Sequence, residues 1–503
     1  MIPDPTTETT IDSPMTEPVF NNAPQSTDPV PLCVDLDGSL LRTDLLWETL
    51  FAVLGNRPRL ALKVPGWIKA GKATLKDNLA REAQVDAEHL PYHDELLAFL
   101  REQKATGRTL VLATASHQSY ADAVADHLDG LFDHVIGSTA TDNRRGEAKV
   151  AAIKDVVGET FDYVGDSDAD VPLVEACRHL YLVDPSSGLA RAAEKAGKTQ
   201  RTFAADPASS GLKPLIKLVR PHQWAKNALL FVPMIMAHQI NLPTFGWALL
   251  GFVAFCCAAS SIYIFNDLVD IDSDRRHKSK RHRPLAAATV SVPNALKLGV
   301  GLLTTAFVVA ALAAWGPGGW IMLGWVALYL VLTTLYSFSL KRRLLADVIL
   351  LGWLYTHRVL AGGFVTDIDV SQWLLAFSTF LFISLAFAKR YTELYNAPPG
   401  EANARRGYRA EDLPLIGNIG PTSGFMALLV FCLYLNGEMA GKLYSTPWVL
   451  WLVVPIMMFW ILRVWFLAFR GELDDDPIVF AIRDRVSWAC FFTGGAILLF
   501  ASV

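Results

Sequence analysis

The chain has 503 residues, of which 52% are hydrophobic and 19% charged, and its 45 Lys+Arg against 49 Asp+Glu leave a formal net charge of −4. That is too apolar for a wholly soluble protein and too charged for one wholly embedded in a membrane, and the balance of charge excludes a nucleic-acid binder with a broad basic surface. Cys33, Cys177, Cys256, Cys257, Cys432 and Cys490 are scattered without CxxC spacing, so neither a disulfide framework nor a zinc site is implied.

In chain order, residues 1–28 are rich in Pro, Thr and Asp and lack both an apolar core and a basic start, which predicts a disordered tail and not a signal peptide. Across residues 29–203 the apolar runs PLCVDLD, TLVLATAS, HVIG, DYVGD and LYLV alternate with amphipathic charged segments. Such alternation predicts a parallel sheet covered by helices. Residues 204–219 carry Pro, Gly and Ser and read as a linker. From residue 220 to 503 the composition is that of an all-α polytopic membrane domain. About nine stretches approach the ~20 residues needed to cross a bilayer: 227–241, 246–265, 295–315, 318–337, 344–362, 371–390, 421–437, 447–468 and 485–502. Basic residues collect in alternate loops, first Arg275, Arg276, Lys278, Lys280, Arg281 and Arg283, then Lys341, Arg342 and Arg343, then Lys389, Arg390, Arg405, Arg406 and Arg409, and last Arg470, Arg483 and Arg485. By the positive-inside rule these loops and the N-terminal domain face the cytoplasm, across the inner membrane.

The soluble half carries a phosphotransfer constellation. Asp35 and Asp37 in VDLDGSL follow a β-branched run, so a strand delivers two carboxylates to its C-terminal edge, where open α/β sheets place ligands. Thr114 and Ser116 end a second run, Lys149 follows in RRGEAKV, and Asp166, Asp168 and Asp170 end a third, FDYVGDSDAD. A carboxylate can attack phosphorus, a second can carry the proton of the leaving group, and Mg²⁺ offsets the repulsion between the two anions. In this order the set resembles the four motifs of the haloacid dehalogenase superfamily over about residues 31–195. The resemblance implies a Rossmann-like α/β fold with a helical cap, Asp35 as nucleophile and Asp37 as acid/base. It also implies Thr114, preferred over Ser116, and Lys149 on the phosphate, and a magnesium site of Asp35, Asp37, Asp166 and Asp170. The insertion from Leu45 to Thr106, with Trp47 and Trp67, would be that cap or a face docked on the membrane domain.

The membrane half carries a rarer signal. In SIYIFNDLVDIDSDRRHKSKRHRPLAA, Asn266, Asp267, Asp270, Asp272 and Asp274 crowd the end of an apolar span, with Asn266, Asp270 and Asp274 on one helix face. So many acids repel one another unless something positive intervenes, and Mg²⁺ bridging phosphate oxygens would do so. The adjacent basic residues read either as positive-inside anchors or as phosphate ligands.

NDxxDxxxD followed by KRxRPLA resembles the first acidic motif of the UbiA superfamily of intramembrane prenyltransferases. Where aromatic-acceptor members carry a second acidic motif, this sequence reads AFAKRYTELYN, with Lys389 and Arg390 in place of acids and only Glu393 left. One acid cluster plus an added basic cluster suits a magnesium-bound soluble diphosphate and a lipid monophosphate. RPHQWAKNALLF, DVILLGWLYTHRVLAGG with SQW, KRYTEL and DDDPIVFAIRDR then extend a resemblance to the decaprenyl-phosphate phosphoribosyltransferase branch over about residues 220–485.

That resemblance implies transfer of a 5-phosphoribosyl group from phosphoribosyl pyrophosphate to a polyprenyl phosphate. Asn266, Asp267, Asp270 and Asp274 would hold Mg²⁺ under the departing pyrophosphate. Lys226, Lys280, Arg281 and Arg283 would anchor diphosphate or 5-phosphate, and Lys389, Arg390, Tyr391 and Glu393 lipid phosphate or ribose. Arg358, inside an apolar span beside His357, needs a partner, which a lipid phosphate or Asp347 would supply. The fused phosphatase would then remove the 5-phosphate, giving polyprenyl phosphoryl ribose for cell-envelope glycan synthesis. The partners are thus phosphoribosyl pyrophosphate, a polyprenyl phosphate and the membrane, with no nucleic acid, and a homo-oligomer is compatible with the sequence. The competing readings are an aromatic-acceptor prenyltransferase with a regulatory phosphatase-like domain, a docking module in place of the phosphatase, and a transporter, for which no inverted repeat is evident.

Overall fold

The computed structural model describes residues 30–204, 211–397, 407–473 and 476–502. The predicted tail, residues 205–210 of the predicted linker, and Arg405, Arg406, Asp474 and Asp475 of the quoted loops lie outside the described residues.

The soluble half is one parallel sheet of β1 (Leu32–Val34), β2 (Leu110–His117), β3 (His134–Ser138), β4 (Asp162–Gly165), β5 (Leu180–Val183) and β6 (Thr199–Phe203), in the order β3-β2-β1-β4-β5-β6. Buried β-branched and leucine runs make β1, β2 and β4 the central strands, and helices cover both faces, as a parallel sheet requires. Register pairs Val34 with Leu112 and with Val164, so the three motif-bearing loops leave the sheet side by side at one edge. The insertion between β1 and β2 forms α1 (Leu45–Asn56), α2 (Val64–Lys69), α3 (Lys72–Glu82) and α4 (Asp94–Ala105). The Asp44 carboxylate starts α1 by accepting from the amide of Leu46 at 2.9 Å. The remaining sheet helices are α5 (Gln118–His127), α6 (Glu147–Val157), α7 (Val171–Ala176) and α8 (Ser187–Ala196), and α9 (Lys213–Val219) leads into the membrane half.

Here the chain departs from the expected nine spans. The stretch 227–241 falls into the end of a 3₁₀ segment, Pro221–Phe231, and a short helix α10 (Val232–Met236), because Pro233 and the polar residues His238, Gln239 and Asn241 break the apolar pattern. Among the described residues eight helices are long and apolar enough to cross a membrane. They are α11 (Leu242–Val269), followed by the short α12 (Ile271–Arg276), then α13 (Val292–Ala313), α14 (Ile321–Phe338), α15 (Ala346–Thr366), α16 (Gln372–Tyr395), α17 (Leu413–Asn436), the short α18 (Glu438–Leu443), α19 (Val453–Phe469), the short α20 (Pro477–Arg483) and α21 (Arg485–Ser502). The protein is a multi-pass membrane protein. Small residues let elements approach closely: a Cβ on Gly362 of α15 would stand 2.1 Å from the Leu230 carbonyl oxygen, which seats the 3₁₀ segment against α15.

The insertion docks on the membrane half. Phe51 and Trp47 of α1 pack with Leu218, Ile264, Leu268 and Ile271, whereas Trp67 packs within the insertion against Leu75 and Leu79. At the centre of this contact Glu48 receives both Nη atoms of Arg275, at 2.5 and 2.7 Å, with both residues buried, and Arg275 Nε donates to the Ala286 carbonyl at 3.0 Å. The side chain of Arg276 reaches Asp86 at 3.0 Å beside them. Removing one member of such a pair strands a buried charge, a cost of about 3–5 kcal/mol. Glu48→Ala is therefore expected to lower the thermal midpoint of the detergent-solubilised protein, and Glu48→Met with Arg275→Met to recover most of the loss. Equal midpoints for the single and double variants would contradict this account.

Candidate active sites

In the soluble half, β1 ends at Val34 and its last backbone bond, from the Asp35 amide to the Val164 carbonyl at 3.0 Å, fixes Asp35 over β4. The carboxylates of Asp35, Asp166 and Asp170 lie within 4.8 Å of one another. Lys149, from α6, reaches Asp35 at 3.0 Å and Asp170 at 3.2 Å; Tyr163 donates to Asp170 at 2.8 Å, and Ser39 to Asp166 at 2.9 Å. Burial lifts the Asp35 carboxyl to about 7 against the pull of Lys149, and it lifts Asp166 as well, with Asp35 and Asp170 adding repulsion. Two buried carboxylates and a half-buried one with a single ammonium lack positive charge, and three hard oxygen donors are the set that Mg²⁺ takes, so these residues fit that ion.

Asp37 differs from expectation. Its carboxylate is not in the three-acid group but accepts from the Leu45 amide at 2.8 Å, from Ser116 at 2.6 Å and from Thr114 at 3.3 Å. The turn Asp37–Leu41 carries it away from the other acids, and burial pushes its carboxyl up. Ser116 makes the shorter contact of the two hydroxyls, while Thr114 is wholly buried and accepts from the Ser116 amide at 2.9 Å. Asp168 takes no part and accepts from Ser186 at 2.5 Å. Gly38 holds a φ of +84°, and a Cβ there would stand 2.2 Å from Asp166 Oδ2. Gly38→Ala is thus expected to reduce phosphatase turnover by about 10²-fold, since a 1 Å shift in a reacting group costs that much; wild-type phosphate release would contradict it.

Sequence reasoning passed over Lys76. This residue of α3 reaches the Ala115 carbonyl and Asn143, at 3.1 Å, and its ammonium is pulled down by burial and held up by Asp37 and Asp44. The insertion thus both docks and overhangs the site, and only the fold shows the second role, because a lone lysine on a charged helix gives no signal.

In the membrane half, α11 ends at Val269 and α12 begins at Ile271, so Asn266, Asp267, Asp270 and Asp274 share one helix end. They do not close into a three-carboxylate group. Instead Arg220 grips both oxygens of Asp267 at 2.6 and 2.7 Å, and Arg283 Nη1 lies 3.1 Å from Asp267 and 2.6 Å from Asp274. Arg283, expected on a phosphate, thus bridges the acids as a stand-in cation. Asp270, beside them, has no such partner among the described residues. The oxygen donors with a cation already seated between two of them fit Mg²⁺. Lys280 and Arg281 stand on the adjoining 3₁₀ turn Lys280–His282, half-buried and exposed. Arg220 opens the motif RPHQWAKNALLF, and its role depends on the chain reversal after α9, where it takes a φ of +56°.

A second cluster is built around Asp476, which pairs with buried Lys226, lies 3.6 Å from Lys389 and accepts weakly from Tyr355 at 3.4 Å. Burial opposes its charge, but Lys226 and Lys389 draw its carboxyl down to about 2. Four expected ligands are placed elsewhere. Arg358 takes Asn227 at 2.8 Å, Tyr329 at 3.2 Å and the Leu354 carbonyl as partners, in place of Asp347 or a lipid phosphate. Arg390 is buried between Asp347, at 2.5 Å, and Glu393, with Tyr408 donating to Asp347 at 2.7 Å, so neither Arg390 nor Glu393 is presented to a ligand. Tyr391 belongs to the core, its ring 4.8 Å from Phe469 and 6.2 Å from Trp465. On a helix, successive residues point about 100° apart, so Lys389 can face the cluster while Arg390 and Tyr391 cannot. An apolar cavity of about 450 Å³ lined by Trp373, Phe431 and Leu443 holds none of these residues.

Residues 228–493 match the UbiA prenyltransferase family, and residues 32–175 match the haloacid dehalogenase-like hydrolases. The protein y4nM of Sinorhizobium fredii is 36% identical over 91% of this chain and 88% of its own. The decaprenyl-phosphate phosphoribosyltransferase of Mycolicibacterium smegmatis is 30% identical over 59% of this chain and 96% of its own. A UbiA homolog from Archaeoglobus fulgidus, solved with GPP and Mg²⁺, is 15% identical with a TM-score of 0.43, covering 56% of this chain and 99% of that one. The chain belongs to the UbiA prenyltransferase family, with a haloacid dehalogenase-like hydrolase domain joined ahead of its membrane helices.

Proposed function

We propose that the membrane half transfers 5-phosphoribose from phosphoribosyl pyrophosphate to a polyprenyl phosphate, and that the soluble half then removes the 5-phosphate. Both sites face the cytoplasm from the inner membrane. The observation that carries the reading is the pairing of an acid cluster ringed by Arg220 and Arg283 with a second, basic cluster of Lys226 and Lys389 around Asp476. The first suits a diphosphate and the second a lipid monophosphate, whose arrival would compete with Asp476 for the two lysines. The relative named for this reaction matches over nearly its whole length.

At the transferase site Asn266, Asp267, Asp270 and Asp274 would hold Mg²⁺, which neutralises charge on the departing pyrophosphate. Arg220 and Arg283 offer planar guanidinium forks to the same phosphates, with Lys280 and Arg281 behind them. The lipid phosphate oxygen forms the bond to ribose C1 as the bond from C1 to pyrophosphate breaks, through a centre with oxocarbenium character.

At the phosphatase site Asp35, Asp166 and Asp170 would hold Mg²⁺, which offsets the repulsion between carboxylate and phosphate. Asp35 forms a bond to phosphorus as the ribose O5 leaves, and Asp37, whose carboxyl burial pushes up, gives O5 the proton. Water then attacks phosphorus, Asp37 takes its proton, and Asp35 is released. Lys149 holds Asp35 in line throughout.

The discriminating experiment is pyrophosphate release by the purified chain. Release from phosphoribosyl pyrophosphate that depends on added polyprenyl phosphate is expected. Release from a prenyl diphosphate that depends on 4-hydroxybenzoate would restore the aromatic-acceptor reading.

A further inference from the structure

At the edge of the sheet that carries the phosphatase acids, Asp166 lines a cleft of about 400 Å³, with Gly38, Arg42 and His93 on the same wall and Thr289, Ser291 and Asn294 of the membrane half on the other. That volume lies within the ~300–1,000 Å³ typical of small-molecule sites.

The second wall is the far end of the loop that bears Arg283. Thr289 donates to the Pro284 carbonyl from both its amide, at 2.9 Å, and its hydroxyl, at 3.2 Å, and the Ala287 amide donates to the Arg283 carbonyl at 2.9 Å. Residues 283–290 are therefore one compact turn, with Arg283 on the transferase acids and Thr289 on the phosphatase cleft. Within it Ala288 holds a φ of +52°, a left-handed conformation that a residue with a Cβ keeps only where its surroundings impose it. The buried Arg275 that pins Ala286 belongs to the docking pair with Glu48, so the turn is held against the insertion too.

We propose that the membrane half completes the phosphatase: Thr289, Ser291 and Asn294 position a phosphomonoester that is still attached to its lipid, by contacts to its sugar and phosphodiester. The inference rests on the reading that the lipid product is the phosphatase substrate, and it adds which residues select that substrate. The wall from the membrane half runs into the first turn of α13, at Asn294, so a phosphomonoester on a lipid held among the helices would meet the cleft from that side. A soluble phosphomonoester reaches the same acids without using this wall.

The test is the ratio of kcat/KM for two phosphomonoesters, the ribose-phosphate lipid in detergent micelles and free ribose 5-phosphate. Each lost hydrogen bond is worth about 0.5–1.5 kcal/mol, so Thr289→Val with Asn294→Ala is expected to lower the lipid-to-soluble ratio by about tenfold. Ser291→Ala, a second variant on the same wall, is expected to lower it about threefold on the same scale. Ratios equal to wild type in both variants, with lipid turnover intact, would overturn this inference alone. Failure of the wild type to act on the lipid would overturn it together with the reading beneath it.

Discussion

Asp35→Asn is expected to stop phosphate release while phosphoribosyl transfer continues, so that a lipid carrying ribose 5-phosphate accumulates. The amide cannot form the bond to phosphorus, and loss of a covalent nucleophile costs at least ~10³-fold in turnover. Structural damage is not the cause: Asn keeps the shape and an oxygen for the Leu36 amide and Lys149, and backbone bonds from its own amide to Val164 and from Leu40 to its carbonyl are untouched. Lys149 retains Asp170 at 3.2 Å and stays in place. The check is phosphate release measured beside lipid composition in the same reaction. Phosphate release at the wild-type rate would remove Asp35 from the chemistry.

Asp267→Asn is expected to lower phosphoribosyl transfer by about 10²-fold or more, the scale for loss of a preorganised charge at a reacting centre. Asp267 is buried and joins Arg220 to Arg283; without its charge Arg220 loses the carboxylate it grips and Arg283 is left with Asp274. Asp274 keeps one contact to Arg283, so Asp274→Asn is the milder variant. The phosphatase acids belong to another chain segment, and hydrolysis of ribose 5-phosphate by Asp267→Asn separates a local effect from unfolding. A transfer rate equal to wild type would contradict the placement of the diphosphate beside Asp267.

The sheet and its acids are legible in the sequence because buried parallel strands read as apolar runs and the acids fall at their ends. β6, with the sequence TQRTF, was not anticipated: it is an edge strand with four exposed residues and shows no apolar run. The stretch 227–241 has enough apolar residues for a span, but hydropathy does not register that Pro233 and the polar run after it divide the helix. Among the site residues, those placed by strand ends or by one helix turn were readable. Asp37 was misplaced within its site because its direction depends on a turn. Arg390 and Tyr391 are adjacent to a lysine that does face the cluster, and residue type alone does not distinguish one helix face from another. The partners Asp476, Arg220 and Asn227 lie far away in sequence and meet Lys226, Asp267 and Arg358 only once the helices pack.

The central claim is that two reactions occur in order on one lipid. The direct measurement is a time course of lipid masses when the purified wild-type chain meets decaprenyl phosphate, phosphoribosyl pyrophosphate and Mg²⁺. The account predicts that a ribose-phosphate-bearing lipid rises first and decays into a ribose-bearing one. A folded chain that yields no ribosylated lipid, or one that stops at the ribose-phosphate lipid, would contradict it.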